Sequence, residues 1–302
     1  MAPLSFAESG DDGQREPERG GDVSLISNAM WFVINGCQYV IVGVMSAFLM
    51  TIASLAAAMG KVAFTLSFAR RYWAPSLLKI GNVKLDVRGL DNVDWTQPVV
   101  IVANHQSMVD IPVLQAALPI NLRFIAKEEL LSVPFLGRYM KLAGMIGIDR
   151  KQPLAALERI QQDAASATAD NAAVVAFAEG TRTRTGEIAG FKPGAILLAQ
   201  QAGLAIVPLS IHGAREVLMP DQMGARPGTI RIDIGKPITT VGIPRRVLLQ
   251  QVHGAVVAMN VAAGGKGAAP RRRPAVAAAP DAADVADVAA NEEAEPVDAL
   301  AG

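Results

Sequence analysis

Thirty-eight consecutive residues, Val23 to Gly60, contain no Asp, Glu, Lys or Arg. As one helix this run would be roughly 57 Å long, against a hydrocarbon core of about 30 Å. Core helices of water-soluble domains rarely run this long without a charge, so a membrane segment over 23–60 is expected. Its centre, Tyr39 to Met59, suffices for one span. Asn35-Gly36 offers an alternative, the tip of a re-entrant hairpin with Ser24 to Ile34 as the short arm. Met1 to Asp22 is Gly-rich and charged and reads as a disordered leader (1–22). Its acidic residues precede the apolar run and no basic stretch opens the chain, which excludes a secretory signal. Past the run, Lys61, Arg70, Arg71 and Lys79 alternate with Phe64, Phe68, Tyr72 and Trp73. That mixture over 61–81 marks an interfacial stretch, and its positive charge places the following domain on the cytoplasmic side of the inner membrane. A solvated helix face with packing aromatics is the alternative.

Residues 82–262 read as α/β. Apolar runs of strand length occur at Val83–Arg88, Val99–Ala103, Leu122–Ala126, Met145–Ile148, Val174–Ala178, Ile206–Ile211 and Ile230–Ile234. Helical periodicity separates several of them, at Met108–Leu118, Phe135–Ala143, Leu154–Ala169 and Gly194–Gln201, with a further helix over Arg245–Ala262. The alternation predicts an α/β fold, a mostly parallel sheet flanked by helices. Ala263 to Gly302 is Ala, Pro, Gly and charge and is expected to be a disordered tail. Lys and Arg together number 28, as do Asp and Glu, so the balance gives no reason to expect nucleic acid. The single cysteine, Cys37, excludes a disulfide framework and a thiol metal cluster. His105, His212 and His253 are scattered without metal-ligand spacing, and neither metal nor cofactor is expected.

Several polar residues fall just past strands. Asn104-His105-Gln106-Ser107-Met108-Val109-Asp110 follows the second run. On a continuous helix five positions turn through about 500°, leaving His105 and Asp110 some 140° apart. They can meet only if His105 lies in a turn and Asp110 on the first helical turn. A carboxylate there would orient the imidazole and fix its tautomer, making it a general base for a substrate hydroxyl. The competing reading is a helix cap, Ser107-x-x-Asp110. Phe177-Ala178-Glu179-Gly180-Thr181-Arg182-Thr183 follows another strand, and the fork of Arg182 suits a phosphate; an ordinary turn with solvated charges is the alternative. Lys127 and Arg150 also follow strands. In a parallel sheet these ends gather on one edge, where ligands bind.

Asn104–Asp110 is similar to the signature of glycerolipid acyltransferases. Phe124–Leu130 with Pro134–Gly137 and Gly144–Arg150 looks like that family's second block, Phe177–Arg182 resembles its third, and Ile206–Leu209 its fourth. The match covers Asn82 to Pro237 and leaves both tails unexplained. Within the family the members that acylate 1-acyl-sn-glycerol 3-phosphate are the most similar. The resemblance implies that His105, oriented by Asp110, deprotonates the sn-2 hydroxyl of lysophosphatidic acid held in the bilayer. The oxygen then attacks the thioester of acyl-CoA or an acyl carrier protein, giving phosphatidic acid with no other cofactor. Glu179, Gly180, Thr181 and Arg182 are expected at the acceptor site, with Arg182 and Arg150 on the phosphate and Lys127 assisting. Ala178 stands where the family usually has proline. Another lyso-lipid acceptor, such as a lyso-ornithine lipid or lysophospholipid, a non-catalytic lipid-binding protein, and a His-based hydrolase are the alternatives.

Overall fold

The computed structural model describes residues 21–149, 152, 155, 158–159, 171–220 and 225–270. The predicted helix Leu154–Ala169, Arg150, and most of the leader and tail lie outside the described residues. The uncharged run forms one continuous helix, α1 (Gly21–Ala58). It passes through Asn35-Gly36 without a break, so the hairpin alternative does not hold. From Val33 to Ala58 it is long and apolar enough to cross a membrane.

The chain then doubles back. Helix α2 (Val62–Phe68), a π-helical turn (Ala69–Trp73) and α3 (Ala74–Ile80) form one helical arm. Thr65 Oγ1 donates to the Ala53 carbonyl (2.9 Å), Trp73 Nε1 to Ser46 Oγ (3.0 Å), and Gln38 Nε2 to the Ile80 carbonyl (3.3 Å). Phe64, Phe68 and Tyr72 run along this arm with ring centroids 5.9 and 5.0 Å apart. The basic, aromatic stretch is therefore the second arm of a helical hairpin pinned to α1, rather than a strip lying free.

Seven strands follow: β1 (Val83–Arg88), β2 (Val100–Ala103), β3 (Asn121–Lys127), β4 (Ile146–Ile148), β5 (Ala172–Phe177), β6 (Ile206–His212) and β7 (Gly228–Ile234). They form one sheet in the order β1-β7-β6-β2-β5-β3-β4. The five strands from β6 to β4 are parallel. β7 runs antiparallel to β6, and β1 is parallel to β7, so this pair opposes the other five. The expected mostly parallel α/β sheet is thus present, with a reversed pair at one edge.

Alternation along β2 shows how the layers are held. Val99, Ile101 and Ala103 face a core that includes Val113 and Leu114 of α4 (Asp110–Ala117). Val100 and Val102 face the opposite core. There they meet α6 (Gly194–Ala202) and α8 (Arg245–Ala262), the latter through Leu248, Val252 and Val256. Helix α5 (Leu136–Leu142) packs against the α1–α2 hairpin in a smaller cluster with Ala53, Leu66, Tyr139 and Met140. A four-residue helix, α7 (Ala214–Val217), follows β6. Order extends past the predicted boundary at 262: Ile188 N–H donates to the Gly267 carbonyl (3.1 Å) and Ala269 N–H to that of Ile188 (2.8 Å).

Because β2 and β6 are parallel neighbours, the turn after β2 needs an anchor on β6. Asn104, 1% exposed, supplies it: its amide donates to the Ile211 carbonyl and accepts from the Ile211 N–H, both at 2.8 Å. Replacing Asn104 by Ala strands a buried N–H and C=O. It should destabilise the fold by about 2–4 kcal/mol, read as a lowered thermal midpoint in detergent; a midpoint equal to wild type would show that the clamp contributes nothing.

Candidate active site

β2 ends at Ala103, the chain turns, and α4 begins at Asp110. His105 lies in that turn, which removes the angular objection to its pairing with Asp110. Nδ1 of His105 is 2.7 Å from Oδ2 of Asp110. The same oxygen accepts the backbone N–H groups of Gln106 (2.7 Å) and Ser107 (2.9 Å). Asp110 is completely buried, so three donors converge on an oxygen shielded from water. That environment favours a proton on Nδ1 and leaves the Nε2 lone pair free. Nε2 has no partner among the described residues, and the His105 side chain is 13% exposed. The ring stacks on Phe177 at 4.1 Å and 13°.

Ser107 does not cap α4 in the predicted way. Its hydroxyl donates to the Leu218 carbonyl (2.5 Å) and accepts from the Val109 N–H (3.3 Å), while Asp110 N–H donates to the Ser107 carbonyl. The carboxylate half of the cap does exist, since Asp110 receives the Ser107 N–H. Capping and dyad therefore use the same oxygen.

The loop after β5 is held against this turn by Glu179. Its Oε1 accepts the His105 N–H (2.8 Å) and its Oε2 the Ala189 N–H (2.8 Å). Thr183 N–H donates back to the His105 carbonyl (2.9 Å). Glu179 is 5% exposed and both its oxygens serve backbone. Its part is to position His105, which narrows the expectation that it lines the acceptor site. Burial pushes its carboxyl up from 4.5 to about 7; the two N–H donors pull it down, and the charge of Asp110 adds to the upward push.

Gly180 turns at φ +76°, and a Cβ there would stand 2.7 Å from Nζ of Lys192. The glycine thus admits a cation beside the turn as well as a left-handed backbone. Thr181 is exposed and Arg182 half-buried; the Arg182 guanidinium has no partner among the described residues. Lys127, the last residue of β3, is on the same edge, and its Nζ pairs with Oε1 of Glu129 at 2.7 Å. Both members are about half exposed, which makes this a weak surface pair. Arg150 lies outside the described residues. Among those described, His105, Asp110, Glu179, Gly180, Thr181 and Arg182 come together, with Lys127 two strands from β2.

Lys192, which follows the third block closely, adds its positive charge beside Gly180. His253 is half-buried: it bonds the Ala189 carbonyl through Nε2 (3.2 Å) and meets Phe191 edge-on at 4.8 Å. It holds the carbonyl of the residue whose own N–H binds Glu179. No local pattern reveals that link, because it spans 64 residues.

Beside the dyad lies an apolar cavity of about 130 Å³. Met50 and Ala53 of α1, Trp73, Met108, Phe124 and Leu136 contribute to its wall. Phe124 stands 6.2 Å from Phe177, and Phe177 covers His105, so an aromatic column joins cavity to base.

The His105–Asp110 pair, the Arg182 side chain and an apolar cavity thus lie together at one edge of the sheet. Residues 84–212 match the Acyltransferase family model. A 1-acyl-sn-glycerol-3-phosphate acyltransferase of Cocos nucifera is 35% identical over 141 residues, which cover 47% of this chain and 46% of that protein. One from Pseudomonas aeruginosa is 33% identical over 171 residues, 57% of this chain and 65% of that protein. The chain thus spans about half to two thirds of the length of these relatives. The crystal structure of the 1-acyl-sn-glycerophosphate acyltransferase of Thermotoga maritima superposes with a TM-score of 0.66 over 76% of this chain and 94% of that one. At 22% identity the likeness is one of fold.

Glu179 links pH to stability. It loses its proton near 4.5 when unfolded and near 7 when folded, so between these values the unfolded chain binds fewer protons. Its contribution is fully present below pH 4.5 and is lost as pH rises through about 7. Glu179→Gln should remove that slope and, by aiming an amide N–H at a backbone N–H, cost about 1–3 kcal/mol. Thermal midpoints measured across this range for both proteins check it; parallel profiles would contradict the assignment.

Proposed function

We propose that this chain transfers a fatty acyl group from acyl-CoA or an acyl carrier protein to the sn-2 hydroxyl of 1-acyl-sn-glycerol 3-phosphate, forming phosphatidic acid. The observation that carries the reading is the 2.7 Å contact between His105 Nδ1 and Asp110 Oδ2, with Nε2 left unpartnered at the sheet edge. The acceptor hydroxyl gives its proton to Nε2 as its oxygen attacks the thioester carbonyl. The new C–O bond forms, the C–S bond breaks, and the imidazolium returns the proton to the departing thiolate. Asp110 stabilises the imidazolium between these steps and holds the ring in place. Direct transfer is supported by the side chains at hand. Ser107 is buried with its hydroxyl donated to Leu218, and Cys37 lies on the apolar helix.

Arg182 is the residue assigned to the acceptor phosphate, with Lys192 a second positive charge against Gly180. Arg150 and Lys127 complete the proposed set of cations, and Thr181 offers a hydroxyl at the rim. The apolar cavity takes an acyl chain, and the aromatic column leads from it to the reacting atoms. We place the enzyme in the cytoplasmic membrane through α1, with its catalytic domain facing the cytoplasm, where its donors are soluble.

His105→Ala should lower acyl transfer by at least about a hundredfold while the protein stays membrane-bound. Retained turnover in a radiolabelled acyl transfer assay would remove the mechanism. Arg182→Ala should raise KM for lysophosphatidic acid by about tenfold or more, from the loss of a charge-assisted pair, with a smaller change in kcat. In a panel of lyso-lipids given one acyl donor, preference for an acceptor without phosphate would overturn the headgroup assignment and keep the chemistry.

A further inference from the structure

The segment between β3 and α5 carries a feature that the acyl-transfer site does not use. Phe135 is a bulky residue at φ +59°, and the Leu136 N–H donates to the Pro134 carbonyl across it at 2.6 Å. This is a γ-turn of the positive-φ kind, a strained form for any side chain but glycine. The turn is closed by Gly137, whose N–H reaches the Val133 carbonyl (2.7 Å) and whose missing side chain admits the Leu131 carbonyl. The strain does not serve burial. Val133 is 41% and Phe135 58% exposed, so the turn projects two apolar side chains outward.

Their surroundings indicate what covers them. Leu130 and Leu136, flanking the turn, share the cavity wall with Leu49, Met50 and Ala53 of α1. On α1 the exposed residues Val44, Phe48, Ile52 and Leu55 recur at intervals of three and four, one continuous apolar stripe that Met59 extends just past the helix. Behind the turn, Arg138 and Lys141 are exposed on one side of α5 and have no partner among the described residues. An apolar tip backed by cations, next to a helix fit for the bilayer, matches an interface of acyl chains below anionic headgroups.

We propose that Val133 and Phe135 dip into the bilayer surface as a second contact beside α1, with Arg138 and Lys141 on lipid phosphates, fixing the tilt of the domain so that its cavity opens toward the lipid. The proposal rests on the reading above that the acceptor is a lipid of the bilayer.

Cys37 is the only cysteine, so a Cys37→Ala background accepts one probe at a time. In the full chain reconstituted into phosphatidylcholine–phosphatidylglycerol vesicles, a nitrobenzoxadiazole label on Phe135→Cys should shift to the blue. Doxyl groups on the lipid chains should also quench it. A label on Val241→Cys, 78% exposed at the opposite edge of the sheet, should do neither. Position 135 behaving like position 241 would overturn the proposal. The Val133→Asp, Phe135→Asp double variant should lose at least about tenfold in kcat/KM for lysophosphatidic acid presented in vesicles. It should keep its rate on a short-chain, water-soluble acceptor with the same headgroup. Equal loss on both acceptors, or no loss on either, also overturns it. Failure of the wild-type protein to acylate any phosphorylated acceptor would strike the functional reading instead, while the labelling still decides the surface.

Discussion

The buried carboxylate of Glu179 is the interaction on which the site depends. One oxygen holds the backbone of His105 and the other that of Ala189, so turns separated by 74 and 10 residues from it are set by one group. A carboxylate with little access to water is costly unless each oxygen is matched by donors. Here the donors are peptide N–H groups that would themselves be stranded without it. The base is thereby fixed through its main chain by Glu179 and through its side chain by Asp110. Two independent restraints on one imidazole restrict it to a single orientation, which is the geometric requirement for accepting a proton at Nε2.

The second organising element is the helical hairpin before the sheet. It does more than tether the domain. Its packing on α5 closes one wall of the apolar cavity, and the hydrogen bonds from Thr65 and Trp73 to α1 make that wall rigid. The apolar helix and the sheet domain therefore share a single cavity, and removing α1 would open that space.

Much of this architecture was legible from residue pattern. Each predicted strand exists within one or two residues of its expected bounds at most positions, because β-branched runs buried on both faces leave few alternatives. Spacing across a turn permits the pairing of His105 with Asp110 and equally a helix cap; the family resemblance and the other strand-end residues favour the pairing. What pattern reading missed was of two kinds. The reversal of β7 and β1 depends on which edge the chain returns to, and alternation is blind to that. The contacts of Glu179 and His253 join distant segments: the place of Glu179 past a strand is visible in the sequence, whereas its backbone partners are not. The hairpin alternative at Asn35-Gly36 failed for a simpler reason. A Cβ built at Gly36 would meet nothing within 4 Å outside its own helix, so no neighbour rewards a bend, and a continuous ladder of helical hydrogen bonds satisfies the backbone.

The hydroxyl of Ser107 bears on kinetics as well as structure. Under the proposed mechanism the hydroxyl, tied to the Leu218 carbonyl, is withheld from the thioester, and the protein carries no acyl group of its own between donor and acceptor. Donor and acceptor must then occupy the site together, and the order in which they arrive decides how much thioester is lost to water. A donor bound first would meet a competent base with only solvent to activate. An acceptor bound first would fill that position before the thioester arrives, so the more economical sequence is one in which the membrane loads the site ahead of the cytoplasm.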